Sequence, residues 1–226
     1  MCGRYHSTLP REAMRTIFKV DGLIPDLPAR YNIAPTQPIP IVRRTVDGGR
    51  ELAIVRWGLV PYWSPRPKQQ KGEMINARAE TVSTKPAFRD AFRRRRCIVP
   101  ASGFYEWRPE GKGKQPYAIN RRDGHPMAFA GLWERWKSPE TNEVLESATI
   151  IVTNANEALA PIHDRMPVIL LDEAEIETWL NPTAPPDVLK DLLRPCPADE
   201  LVIYPVSRRV SSPANDDPLL IDPISL

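Results

Sequence analysis

Cysteine is scarce in this chain. Only Cys2, Cys97 and Cys196 occur, an odd number with no two close together. That excludes a disulfide scaffold and any Cys-x-x-Cys zinc site. Histidine is equally scarce, at three residues. No metal-ligand triad, nucleotide-binding glycine loop or Gly-x-Ser-x-Gly elbow is present, so nothing calls for a metal or a cofactor. No apolar run approaches the ~18–20 residues of a membrane span. The opening Met-Cys-Gly-Arg-Tyr-His lacks the apolar core of a secretory signal, which predicts a cytoplasmic protein with no membrane partner. Internal repeats and low-complexity segments are absent.

Proline, by contrast, is abundant, at 26 of 226 residues, against a usual ~5%. It breaks helices and central strands, so rigid loops must join short elements. Hydrophobic residues make up 42% and charged residues 26%, as in a folded globular protein able to bury a sizeable core. The net charge of +3 conceals an asymmetry. Residues 1–114 hold 22 Lys+Arg and 10 Asp+Glu, whereas residues 115–226 hold 9 and 18. The first half is therefore a candidate anion-binding surface. Arginine supplies 23 of the 31 basic residues, and its planar fork suits phosphate.

Apolar periodicity predicts helices over Pro10–Val20 and Thr84–Arg95. Asp172 followed by Glu175 predicts a capped helix to Leu180, and Pro186–Arg194 predicts another. Runs rich in Ile, Val and aromatics predict strands at Glu51–Val60, Cys97–Trp107, Tyr117–Asn120, Met127–Trp133, Ala148–Thr153, Pro167–Leu171 and Leu201–Val206. Strands outnumber helices without alternating with them. The expectation is an α+β fold, with a mostly antiparallel, barrel-like sheet and a few short flanking helices. Loop-rich stretches at 21–40, 61–72, 108–116 and 181–187 are closely flanked by apolar segments, so they do not read as linkers. One domain over residues 1–226 is the simpler reading, with a Pro-rich tail at 207–226. A monomer is the default.

Four positions can carry chemistry. Removal of Met1 would leave Cys2 with a free amine and a thiol, with reference pKa values of ~7.7–8.0 and ~8.5. Such a 1,2-aminothiol condenses with an aldehyde to a Schiff base, which the thiol closes to a thiazolidine. Alternatively, Cys2 is just a small residue near a terminus. Strand alternation would put Asn76, Arg78 and Glu80 on one face, where Asn76 can orient a reactive group and Arg78 can clamp a phosphate. A surface strand with a turn Asn is the plainer reading. Glu106 lies among Phe104, Tyr105 and Trp107, surroundings that raise a carboxyl pKa towards neutrality. An exposed Glu on an edge strand is equally compatible. His163 sits in a proline-punctuated loop beside Arg165, suited to proton transfer next to a phosphate, or is simply solvated. His6 and His125 read as structural or solvated.

Arg4, Arg43, Arg44, Arg56, Arg66, Arg78, Lys85, Arg89 and Arg93–Arg96 interleave with Trp57, Trp63 and Trp107. Arginines that track a backbone beside stacking aromatics describe a single-strand binder. Arg93–Arg96 also fit a solvated helix end, and tryptophans are common in cores.

The order of short blocks is more specific than any one of them. Cys2-Gly3-Arg4-Tyr5 precedes Tyr31-Asn32-Ile33-Ala34-Pro35-Thr36-Gln37, then Trp57-Gly58-Leu59-Val60-Pro61 and Asn76-Ala77-Arg78-Ala79-Glu80-Thr81. Arg96-Cys97-Ile98-Val99-Pro100-Ala101 and Gly103-Phe104-Tyr105-Glu106-Trp107 follow, then Ala130-Gly131-Leu132-Trp133, Thr153-Asn154-Ala155-Asn156 and His163-Asp164-Arg165-Met166-Pro167. The series closely resembles the SOS-response-associated peptidase (SRAP) family of abasic-site processing proteins, from Cys2 to about Val206.

The resemblance implies a sensor of abasic sites in single-stranded DNA. In that family the mature N-terminal Cys forms a thiazolidine crosslink with the ring-opened sugar, shielding the lesion during the damage response. By that likeness Cys2 is the nucleophile, Asn76 holds the amine or sugar, Glu106 moves protons and His163 assists ring opening. Arg4, Arg78, Trp107 and Arg165 match positions expected to bind phosphate or stack near the lesion. The peptidase label fits self-removal of Met1, and reversal of the crosslink would be lyase-like. Two other readings compete. An N-terminal-nucleophile amidotransferase would use Cys2 on glutamine, and a non-covalent single-strand binder would carry Cys2 incidentally.

Overall fold

A computed structural model describes residues 2–65 and 74–226. Met1 and Arg66 lie outside these residues. In chain order the strands are β1 (Tyr5–Ser7), β2 (Arg30–Ile33), β3 (Pro38–Arg44), β4 (Arg50–Trp57), β5 (Asn76–Arg78), β6 (Arg96–Ala101) and β7 (Gly103–Glu110). They continue as β8 (Gly113–Arg121), β9 (Met127–Lys137), β10 (Val144–Asn154), β11 (Arg165–Pro167), β12 (Ile169–Leu170) and β13 (Leu201–Pro205). The helices are α1 (Arg11–Thr16), α2 (Arg89–Arg94), α3 (Glu173–Leu180) and α4 (Pro186–Asp191).

Five strands close a ring. β3 pairs with β4, β4 with β10, β10 with β9, β9 with β6, and β6 with β3. Only the β4–β10 step of this ring is parallel. Period-two alternation then fills a barrel. Ile39, Ile41, Val55, Trp57, Cys97, Val99, Phe129, Ala148, Ile150 and Val152 form one buried cluster. The alternate residues Val42, Ile98, Ala130, Leu132 and Ile151 belong to a second cluster with Met14, Phe92, Trp179 and Leu189 of the helices. The expected α+β architecture with a barrel-like sheet and short flanking helices is the one observed.

A second sheet, ordered β13-β8-β7-β1-β2, is antiparallel throughout. It corrects one expectation. Cys97–Trp107 is not a single strand: it breaks at Ser102, and its halves serve different sheets. At the break a Cβ on Gly103 would lie 2.0 Å from Asn120 Oδ1 and 2.7 Å from the Ile119 carbonyl oxygen. Only glycine lets β8 approach this closely.

Other boundaries also shift. The stretch at 21–40 is not all loop, because β2 and the start of β3 lie in it. α1 ends at Thr16 rather than Val20. Lys19 adopts φ 50°, and the Val20 N–H returns to the Met14 carbonyl at 3.1 Å. Ahead of α2, residues 81–88 form successive turns rather than helix. α3 matches its sequence signals: Asp172 Oδ1 accepts from the Glu175 N–H at 2.8 Å, and Glu175 Oε2 accepts from the Leu171 N–H at 2.8 Å. No helix among the described residues is long and apolar enough to cross a membrane.

Candidate functional site

The site is assembled on β7 and the chain's head. β1 pairs antiparallel with β7, Tyr5 opposite Phe104, and the Tyr105 N–H donates to the Arg4 carbonyl at 3.0 Å. That register runs Cys2 up along β7 towards Glu106. Glu106 is not on an edge strand. β7 lies between β1 and β8, and the carboxyl side chain is buried, with the residue 3% exposed. Burial pushes its pKa up to about 8, so it is mainly protonated at pH 7. Cys2 is fully buried at the barrel core. Burial first, then the charge of Glu106, push its thiol well above the ordinary range.

Above Glu106 opens a cleft of about 590 Å³ lined by Arg4, Glu106, Trp107, Lys114, His163 and Ser211. Four residues singled out from sequence thus meet in one place. Arg4 Nη1 donates to Asn32 Oδ1 and to the Val210 carbonyl, both at 2.8 Å. Its guanidinium carbon lies 5.7 Å from the Trp107 ring centroid, within cation–π range. The Trp107 indole N–H donates to Ser211 Oγ at 3.1 Å. His163 Nδ1 accepts the Arg165 N–H at 3.0 Å, and burial holds its pKa below the ordinary value. The same Nδ1 lies 3.0 Å from Asp164 Oδ1, so a backbone N–H and a carboxylate both orient the ring.

Asn76 and Arg78 arrive on β5, which runs parallel to β10 with Asn76 opposite Ile150 and Arg78 opposite Val152. β11 flanks the same stretch of β10, with Arg165 opposite Asn154. Asn76 Nδ2 makes only a long 3.4 Å contact to the Ile150 carbonyl. Its Oδ1 is buried and has no hydrogen-bond partner among the described residues. A buried acceptor left empty costs ~1–3 kcal/mol, so this atom is prepared for a donor. Arg78 is exposed, whereas Arg165 pairs with Glu80. Glu80 follows the end of β5 in a turn rather than continuing the strand.

Several proposed DNA contacts turn out to be structural. Trp57 is fully buried, and its indole N–H donates to the Ile75 carbonyl at 3.0 Å. Arg96 is buried, donating to the carbonyls of Phe92, Arg93, Trp179 and Asn181 at the ends of α2 and α3. Arg43 packs 4.0 Å from the Trp133 ring centroid and pairs with Glu51 and Glu146. Arg44 pairs with Glu177, and Arg95 with Glu134. Arg56 donates to the Gly58 carbonyl at 2.9 Å. Lys85, Arg89, Arg93, Arg94 and half of Trp63 are exposed. His6 is buried against Asn120, and His125 is exposed. Sequence reasoning missed Asn32, Lys114 and Ser211. Asn32 stood in a quoted block without a role, while nothing local marks the other two.

The sequence profile of the SOS response associated peptidase (SRAP) family matches residues 1–213. The chain is 44% identical to the abasic site processing protein YoqW of Bacillus subtilis (strain 168), covering 98% of this chain and 99% of that one. It is 32% identical to the abasic site processing protein YedK of Escherichia coli (strain K12), covering 99% and 100%. A crystal structure of a Bacteroides thetaiotaomicron protein superposes with a TM-score of 0.84, at 29% identity over 98% of this chain and 100% of that one. On sequence and fold together, the chain belongs to the SRAP family.

Proposed function

We propose that the protein processes abasic sites in single-stranded DNA by capturing the ring-opened sugar as a thiazolidine on Cys2. The observation that carries this reading is the β1–β7 register, which runs Cys2 along β7 to the buried Glu106 that lines the cleft. A carboxyl protonated at pH 7 can give a proton and take one back within a single reaction.

Met1 must leave first, because an acylated nitrogen has no free lone pair. The Cys2 amine then adds to C1′ of the open-chain aldehyde. Neutral Glu106 protonates the carbinolamine hydroxyl, water departs, and a protonated Schiff base forms. Sγ of Cys2 adds to the C=N carbon while its proton passes to the Glu106 carboxylate, which is restored as the acid. One C–N and one C–S bond form and one water is lost. A thiolate is never free in this sequence, which suits a thiol held protonated by burial.

Asn76 Oδ1, buried without a donor, accepts an N–H of the Cys2 amine and aims the lone pair. His163, on the cleft wall, assists opening of the sugar ring by proton transfer. Arg4 and Arg78 bind the flanking phosphates and Trp107 stacks beside the lesion, while Arg165 stays paired with Glu80 at the rim. The reverse steps make the crosslink reversible, a lyase-like property. Hydrolysis of the Met1–Cys2 bond at the same site accounts for the peptidase in the family name. The crosslink would shield the lesion from strand-cleaving enzymes.

The test is a denaturing gel. Single-stranded DNA with one abasic site is expected to give a denaturant-stable complex, absent with undamaged DNA and with Cys2→Ala. A complex that dissolves in denaturant would leave only non-covalent binding. Glutaminase activity without any adduct would replace the reading with an amidotransferase.

A further inference from the structure

The segment after β13 packs back over the second sheet. Val206 bridges to Pro223, and Val210 and Leu220 are fully buried against Tyr105 and Ala118. Asp216 Oδ1 accepts the Tyr31 N–H at 2.5 Å. The centre of this junction is Asn32, which is 1% exposed. Its Nδ2 lies 3.1 Å from the Val210 carbonyl oxygen, 2.9 Å from that of Ser212 and 2.7 Å from that of Asn215. Its Oδ1 accepts from Arg4 Nη1, which also donates to the Val210 carbonyl. One carboxamide therefore joins 210–215 to a cleft arginine. The same segment supplies Ser211, which holds the Trp107 indole.

Only Asn has the required reach and polarity here. Asp would replace the donor with a charge facing three carbonyls, and Leu would strand the Asn215 carbonyl and take from Arg4 one of its two acceptors. Both bonds of the Arg4 guanidinium use Nη1. The far amino group therefore has no hydrogen bond to the described residues and is available for a phosphate oxygen.

We propose that Asn32 is a positioning residue: it fastens residues 210–215 as one wall of the cleft and holds Arg4 and Trp107 where the DNA backbone and a base meet them. The idea rests on the reading of the cleft as a DNA site, not on the covalent step. Asn32 touches neither the lesion nor Cys2, so it acts on binding rather than on bond formation.

The experiment is fluorescence anisotropy of labelled, undamaged single-stranded DNA, titrated at several salt concentrations with full-length protein. Asn32→Ala is expected to raise Kd about tenfold, the scale of one misplaced charged contact. It is also expected to reduce the slope of log Kd against log salt by ~0.7, one single-strand phosphate contact. A merely structural defect would leave that slope unchanged. Thiazolidine formation with glycolaldehyde, which has no phosphate, is expected to match wild type within twofold by intact mass. Ser211→Ala, at an exposed position, is expected to raise Kd two- to threefold and decides the matter if Asn32→Ala does not fold.

Wild-type Kd and salt slope in a folded Asn32→Ala, or an unchanged Kd in Ser211→Ala where that variant must decide, would overturn the proposal. So would equal losses with DNA and with glycolaldehyde. If undamaged DNA binds as expected but abasic DNA gives no wild-type adduct, the crosslinking reading fails while the role of Asn32 in binding stands.

Discussion

Replacing Glu106 with Gln is expected to make the protein more stable and chemically inert at once. The carboxyl rises from an ordinary 4.5 to about 8 on folding, because its buried position disfavours the charge. Below pH 4.5 both folded and unfolded states hold the proton, and burial of the charge costs nothing. Between pH 4.5 and 8 only the unfolded chain ionises, so stability falls as pH rises. Above pH 8 both states are ionised and the loss is complete. The rise from 4.5 to about 8 corresponds to about 5 kcal/mol in full, of which about 3 kcal/mol is already present at pH 7. Gln keeps the shape and cannot ionise. Urea unfolding of wild type and Glu106→Gln at each pH from 5 to 9 reads the difference directly. The variant's advantage should grow steadily with pH and level off above 8. Parallel stability curves would mean that the carboxyl is already ionised in the folded protein, and the proton relay assigned to it would fall.

Glu106 and the Cys2 amine together shape the capture rate. The amine must be free, with a reference pKa of ~8, and Glu106 must hold its proton, so the rate against pH is expected to be bell-shaped with its maximum near 8. A rate still climbing at pH 10 would contradict this. Gly103→Ala places a methyl 2.7 Å from the Ile119 backbone oxygen and should cost ~1–3 kcal/mol in urea unfolding, because β7 and β8 must separate. Arg96→Met takes a donor from four carbonyls at the ends of α2 and α3, of which that of Asn181 keeps the Ala184 N–H. It should destabilise by ~3 kcal/mol without altering DNA affinity, which anisotropy would check.

Sequence and structure agree where local physics decides. α3 was legible in full because Asp172 caps it and Glu175 answers from the first turn. Four of the five barrel strands, β4, β6, β9 and β10, were legible as apolar, β-branched runs, whereas β3 was missed because Pro38 and Pro40 make its start read as loop. Neither the closure of the ring nor the parallel β4–β10 pairing leaves a local trace. β1 and β2 were missed because they are three and four residues long and mix Arg, Tyr, His and Asn, too short to show a period. The break at Ser102 was invisible because the run stays apolar on both sides of it. Cys2, Glu106 and His163 stood out by chemistry. Which arginines are free for phosphate did not, since Arg165, Arg44 and Arg95 find their carboxylates 85, 133 and 39 residues away in the sequence. Asn32 was hidden for the same reason, its carbonyl partners lying 178 or more residues downstream.

The central claim is tested most directly by weighing the product. Protein incubated with single-stranded DNA carrying one abasic site, then denatured, should give one new mass. That mass should equal the chain without Met1 plus the DNA strand minus one water, and Cys2→Ala should not form it. An unmodified protein would contradict the account, provided Met1 is confirmed absent and the aldehyde intact. A denaturant-stable adduct of the Cys2→Ala chain, at its own mass plus the strand minus one water, would also contradict it, by moving the nucleophile away from the N-terminal cysteine.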